Sequence, residues 1–131
     1  MSADIQKRED NKRIVTEFYK MALFEGDVDK AVRLYGGETY TQHTPFAANG
    51  FDGLRNYVRW IAEKYPNTRG EIKRVFADGD YVILHCHYTG FFGKNGDAII
   101  DIFRLENDKL VEHWDVIQAI PDSSLNGNTM F

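Results

Sequence analysis

The chain has 131 residues, with 16 Lys and Arg against 20 Asp and Glu for a formal charge of -4, and it is 43% hydrophobic and 14% aromatic. That length fits a single domain over 1–131 with a core of ordinary size, and the basic residues (Lys7, Arg8, Lys12, Arg13, Arg33, Arg55, Arg59) are scattered instead of forming a stripe, which argues against a nucleic-acid partner. The charged N-terminus has no apolar core of signal-peptide type and no apolar run approaches membrane-spanning length, so a cytoplasmic protein without a membrane partner is expected.

Ile14, Val15, Phe18, Tyr19 and Ala22 recur at helical spacing, so the first 24 residues or so are predicted to hold a helix, which Gly26-Asp27 ends. Asp27 then has the character of an N-cap for a short helix through Val28, Ala31, Val32 and Leu34, closed by Gly36-Gly37. The following ETYTQHTPFAANG contains Pro45 and the turn pair Asn49-Gly50, and reads as a loop. It carries Tyr40, Gln42, His43 and Phe46, polar and aromatic groups suited to a pocket rim. A third helix is predicted from Phe51 to Lys64, with Leu54, Tyr57, Val58 and Ile61 on one face and Pro66 as its stop.

From there the period changes to two. Glu71 to Ala77, Tyr81 to Phe92, Asp97 to Glu106 and Leu110 to Ile120 read as four strands joined by Asp78-Gly79, Asn95-Gly96 and Asn107-Asp108, hence an antiparallel meander. Three helices followed by four strands make an α+β arrangement with the helices on one face of the sheet. Cys86, the single cysteine, sits in the strand-like VILHCHY and reads as a buried inert thiol. In the tail, 121–131, Met130 and Phe131 would either dock into a pocket or a neighbouring subunit or fray.

The stretch DAIIDIFRLENDKLVEHWDVIQ, Asp97 to Gln118, is unusual in placing Asp101, His113 and Asp115 inside otherwise apolar strands. A two-residue loop pairing 106 with 109 would put Asp101 and Asp115 on opposite faces. A three-residue loop with 106 opposite 110 would gather Asp101, Phe103, Leu105, Val111, His113 and Asp115 on one face, and this arrangement is favoured. The competing reading makes both aspartates solvated residues of an outer face.

Enclosed by apolar walls and set near a second carboxylate, Asp115 would be a stronger base than an ordinary aspartate. His43 or His113 could share its proton, and Tyr40 or Gln42 could donate to a developing oxyanion. Such a set suits proton abstraction beside a carbonyl and needs no cofactor. The four histidines with Asp101 and Asp115 could also ligate a metal, but their spacing matches no ligand signature, so no metal is expected. Serine-triad, Walker, dinucleotide and zinc-protease signatures are absent from the sequence.

The order of elements, the YTQHTP segment and above all DIFRLENDKLVEHWDVIQ resemble the SnoaL-like polyketide cyclases of the NTF2-like superfamily, closest to the predicted SnoaL-like aldol-condensation enzymes, over about Asn11 to Gln118. The resemblance implies a cone-shaped α+β barrel, three N-terminal helices on a curved antiparallel sheet enclosing one apolar pocket, and a homodimer formed through the sheet. It matches Asp115 to the family's acid/base residue, places Asp101 where those cyclases carry a histidine, and puts His43 at the pocket mouth. The expected catalytic set is therefore Asp115, Asp101, His113 and His43, with Tyr40, Gln42, Phe46, Phe103 and Tyr57 against a small apolar or aromatic carbonyl ligand. A domain that only binds an apolar ligand, or serves as a dimeric scaffold, is the alternative.

Overall fold

The computed structural model describes residues 2–131. The first helix, α1, spans Ala3–Tyr19, and the Ser2 side chain caps it by accepting from the Ile5 N–H at 3.2 Å. Its Ile14, Val15, Phe18 and Tyr19 are buried. The helical stretch runs on through Lys20–Phe24, but as a wider π-helical turn, closed by Glu25 N–H to Lys20 O at 2.9 Å. That widening presents the Phe24 ring edge-on to Tyr19, 5.5 Å between centroids. The second helix, α2, is Val28–Tyr35, with the Asp27 carboxylate accepting from Lys30 N–H at 3.1 Å as its cap.

Gly36 and Gly37 differ from expectation. They do not turn the chain left-handed at a helix end; Gly36 is extended (φ -74°, ψ 139°) and starts a strand, β1, Gly36–Gln42. A Cβ on Gly36 would meet Val32 O at 2.8 Å, and one on Gly37 would meet Val111 Cγ1 at 2.6 Å, so close backbone approach explains both glycines. The segment expected to be a loop is thus half strand. After the third helix, α3 (Gly50–Lys64), come β2 (Arg69–Asp78), β3 (Tyr81–Thr89), β4 (Asp97–Glu106) and β5 (Lys109–Ala119). The sheet order is β1-β5-β4-β3-β2, with the predicted meander antiparallel and the added edge strand β1 parallel to β5.

The β4–β5 hairpin settles the facing of the two aspartates by an unforeseen route. Its loop has two residues, Asn107 (φ 49°) and Asp108 (φ 66°), with Glu106 opposite Lys109 and Leu105 opposite Leu110. By itself that turn would separate Asp101 from Asp115. The register then slips, because Arg104 pairs with Glu112 and Val111 is left as an extra residue in β5. This bulge restores the parity: Phe103 lies opposite His113 and Asp101 opposite Asp115. The expected three-residue loop was wrong, while the face it was invoked to produce is the one formed.

Helices and sheet enclose one core that includes Phe18, Tyr57, Leu84 and Phe103. Tyr81, Ile83, His85 and His87 lie on the sheet's other face, where Phe131 returns to stack on His87 (4.2 Å) and His85 (5.4 Å) while Arg74 Nη2 donates to Phe131 O at 3.0 Å. Among the described residues, no helix is long and apolar enough to cross a membrane.

Candidate active site

A cavity of about 300 Å³ lies between α1, α3 and the inner face of the sheet. Phe18, Leu54, Tyr57, Ile99 and Phe103 contribute apolar wall, and Asp101, His113, Asp115, Gln42 and Thr44 form a polar floor. The solvent-exposed lining residues, Phe24, Glu25, Gly26, Ala62, Pro66 and Arg69, lie at the other end, where the π-helical turn meets the end of α3. The YTQHTP segment therefore builds the floor and not the mouth.

The floor is a chain of hydrogen bonds whose polarity can be worked out atom by atom. Thr44 N–H donates to Gln42 Oε1 at 3.1 Å, which fixes the amide so that its oxygen also faces His113 Nδ1, 2.7 Å away. His113 Nδ1 must therefore carry a proton. On the other side of the ring, Nε2 lies 2.8 Å from Asp101 Oδ1, a contact that requires one proton between them. Either the ring is an imidazolium against a carboxylate, or Asp101 is the acid and the ring is neutral. Asp101 Oδ2 accepts from Tyr19 at 3.1 Å, and since the Tyr19 hydroxyl has one proton, Tyr88 is the donor in the 2.6 Å contact between the two phenols. Asp101 and His113 are 3% and 6% exposed, so these bonds form away from solvent.

Asp115 stands beside this chain. One donor atom each of Asp101, His113 and Asp115 falls within 4.8 Å of the others. Burial raises the Asp115 pKa above the ordinary aspartate value and the Asp101 charge pushes the same way, while His113 and the nearby Thr44 hydroxyl oppose them. A cation would find two carboxylates and an imidazole here, but both ring nitrogens of His113 already bond to protein atoms, so ligation would require breaking its contact with Gln42 or with Asp101. Cys86 is buried and its thiol is pushed up to about 12, chiefly by burial, as an inert thiol would be.

Of the residues singled out in the sequence, the structure brings Asp101, His113, Asp115, Tyr40, Gln42, Phe103 and Tyr57 to this cavity. It does not bring His43 or Phe46. Successive residues of an extended segment point to opposite faces, so with Gln42 directed inward His43 faces out, stacked on Trp114 at 4.8 Å and paired with Glu112 at 2.8 Å. Phe46 is half exposed and packs on Phe92, 5.0 Å away, outside the cavity lining. His43 leaves the catalytic set and Phe46 the substrate-binding one.

Sequence reasoning missed Tyr19, Tyr88 and Thr44. The first two carried a usable signal: each is a tyrosine in the buried register of its element, beside Phe18 on α1 and in phase with Val82, Leu84 and Cys86 on β3, and a buried phenol needs a hydrogen-bond partner. Thr44 carried none.

The SnoaL-like domain profile matches residues 15–113. A candidate polyketide cyclase from Bacillus cereus is similar in structure with a TM-score of 0.70 at 21% identity, over 82% of this chain and 74% of that one. A candidate SnoaL-like polyketide cyclase from Jannaschia has a TM-score of 0.70 at 15% identity over 89% of each chain. A candidate ketosteroid isomerase from Kribbella flavida has a TM-score of 0.67 at 13% identity, over 89% of this chain and 84% of that one. No curated protein matches the sequence. With the profile covering most of the chain, three helices cupped by a curved five-stranded sheet, and the similarity in fold to these neighbours, the chain belongs to the SnoaL-like domain family and has the cone-shaped NTF2-like α+β fold.

Proposed function

We propose that this protein is a cofactor-independent acid/base enzyme acting on a compact carbonyl compound, with Asp115 as the proton-transferring group. The observation that carries this reading is a carboxyl whose pKa is raised by burial and by a neighbouring carboxylate, on the polar floor of a cavity with apolar walls. Asp115 removes a proton from the carbon next to the carbonyl, and the C–H electron pair moves onto the carbonyl oxygen as an enolate. In an aldol closure the enolate carbon then attacks a second carbonyl of the same molecule, and the alkoxide formed takes the proton back from Asp115. Returning the proton to a different carbon gives an isomerisation instead. Asp101 and His113 set the charge around Asp115, and Tyr40, Tyr57 and Phe103 supply wall for an apolar or aromatic body. The likeness to candidate polyketide cyclases supports a reaction of this class. A cytoplasmic homodimer formed through the outer sheet face accords with the exposed Ile83, Ile100 and Val116 there.

The test follows the α-protons of 2-tetralone in D2O by NMR, and the cyclisation of 2,6-heptanedione, with wild type and Asp115→Asn. Exchange or cyclisation by wild type, reduced at least about 100-fold in the variant, supports the reading. Binding without turnover in either protein overturns it in favour of a carrier of apolar ligands.

A further inference from the structure

Among the described residues, Phe24 is the one large apolar side chain that is both exposed and part of the cavity lining. It is 38% exposed and stands at the mouth, at the other end from the polar floor. A regular helix would not put it there. Five residues along an α-helix leave two side chains about 140° apart in direction, so an unbroken α1 would point residue 24 away from Tyr19. The π-helical turn Lys20–Phe24 brings the ring back, edge-on to Tyr19 at 5.5 Å and tilted against Tyr88 at 6.3 Å. The main chain of this turn is tied down by Glu25 N–H to Lys20 O and Asp27 N–H to Met21 O, both 2.9 Å. Beneath the ring, β2 supplies a glycine. A Cβ on Gly70 would lie 2.5 Å from Phe24 Cε1 and 2.7 Å from Tyr88 Cε1, so the two rings rest on bare backbone.

A phenylalanine that served only the core would be enclosed, whereas this one is held at the lip by a widened helical turn and a strand glycine and still keeps one side open. We propose that Phe24 is the specificity-determining residue of the cavity: it covers the outer end of the bound compound and sets its length at one or two fused rings. The floor decides which way a ligand lies. Its carboxyls, imidazole and amide take the polar end, so the apolar body points toward the mouth and meets the ring. In a bicyclic ketone the second ring packs on Phe24, and both lose apolar surface to water. A third fused ring must displace Phe24, and Tyr19, Tyr88 and the Gly70 backbone stand behind it. This inference rests on the reading above that the cavity takes a carbonyl compound, and not on proton transfer by Asp115.

Wild type, Phe24→Ala and Phe24→Trp are compared by calorimetric titration with two ketones. One is 2-tetralone; the other is the tricyclic ketone in which a further benzene ring is fused to its aromatic ring, on the side away from the carbonyl. Wild type is expected to prefer the two-ring ketone by at least about 10-fold. Phe24→Ala should bind 2-tetralone about 3- to 10-fold more weakly, having lost an aromatic contact, and should gain the tricycle, so that the preference falls by at least about 10-fold. Phe24→Trp should keep 2-tetralone within about 3-fold of wild type and bind the tricycle more weakly still. Equal losses for both ketones, a preference unchanged by either substitution, or a wild type that binds neither ketone or favours neither would each overturn the assignment. If Phe24→Ala does not fold, the direction of the shift in Phe24→Trp decides. Absence of α-proton exchange in wild type, with the size-dependent shift still present, would sink the acid/base reading and leave Phe24 as the residue that measures the ligand.

Discussion

The proton between His113 and Asp101 can be interrogated by two substitutions that look alike in volume and differ in hydrogen bonding. In Asp101→Asn, the amide oxygen can take the place of Oδ2 and accept from Tyr19, while the amide NH2 donates to His113 Nε2. The ring is then neutral, with its proton on Nδ1 toward Gln42, and every partner is still satisfied. The expected loss of stability is small, about 0–1 kcal/mol. In Asp101→Ala, the Tyr19 hydroxyl and His113 Nε2 lose their acceptor and partner together, and both residues are buried. At about 1–3 kcal/mol for each orphaned polar group, with a further contribution from the space vacated, the loss should reach about 3–5 kcal/mol. Urea unfolding at pH 7 measures both, provided the slope against denaturant is unchanged. If Asn costs as much as Ala, to within about 1 kcal/mol, the neutral arrangement is refuted and the site requires an imidazolium–carboxylate pair.

Two further outcomes follow from the same geometry. Because the Asp115 pKa is raised in the folded protein, its protonated form favours folding, so stability should fall as pH rises from the ordinary aspartate value through the raised one; Asp115→Asn should remove that slope and raise the melting temperature at pH 7, read by thermal unfolding at several pH values. Asp108→Gly should stabilise the protein by about 0.5–1 kcal/mol in urea unfolding, since Asp108 holds φ 66° in a two-residue hairpin loop where glycine has no steric penalty.

The fold was legible wherever periodicity was strong. Buried α1 residues at helical spacing and the alternation Val82, Leu84, Cys86, Tyr88 each announced their element, because one face of each packs against the core. β1 escaped because it begins with two glycines and exposes Glu38, Thr39 and Thr41; its place is secured by pairing with β5, a long-range contact that leaves no local pattern. At the site, the charged residues inside apolar strands were visible as anomalies, and Asp101, His113 and Asp115 do meet. His43 was misplaced because a loop gives no parity from which to read direction, whereas the strand ending at Gln42 sets it. Thr44 was invisible for a different reason: a hydroxyl that bears on a carboxylate does so by its surroundings, not by its residue type.

Val111 can be regarded as a half-period phase slip in an alternating wave. Between the hairpin tip and Val111 the two strands read inside and outside in one phase; beyond it they read in the other. Deleting this one residue would only regularise the ladder, with Glu112 following Leu110 and the pairs Phe103–His113 and Asp101–Asp115 kept; pairing Val111 itself with Arg104 would instead invert every later position of β5, sending His113 and Asp115 outward and bringing Trp114 and Val116 in. The chemistry of the floor thus hangs on a parity set several residues away, and a hairpin tip transplanted from another protein would preserve this floor only if it left Phe103 opposite His113, whether by a slip like this one or by a loop one residue longer.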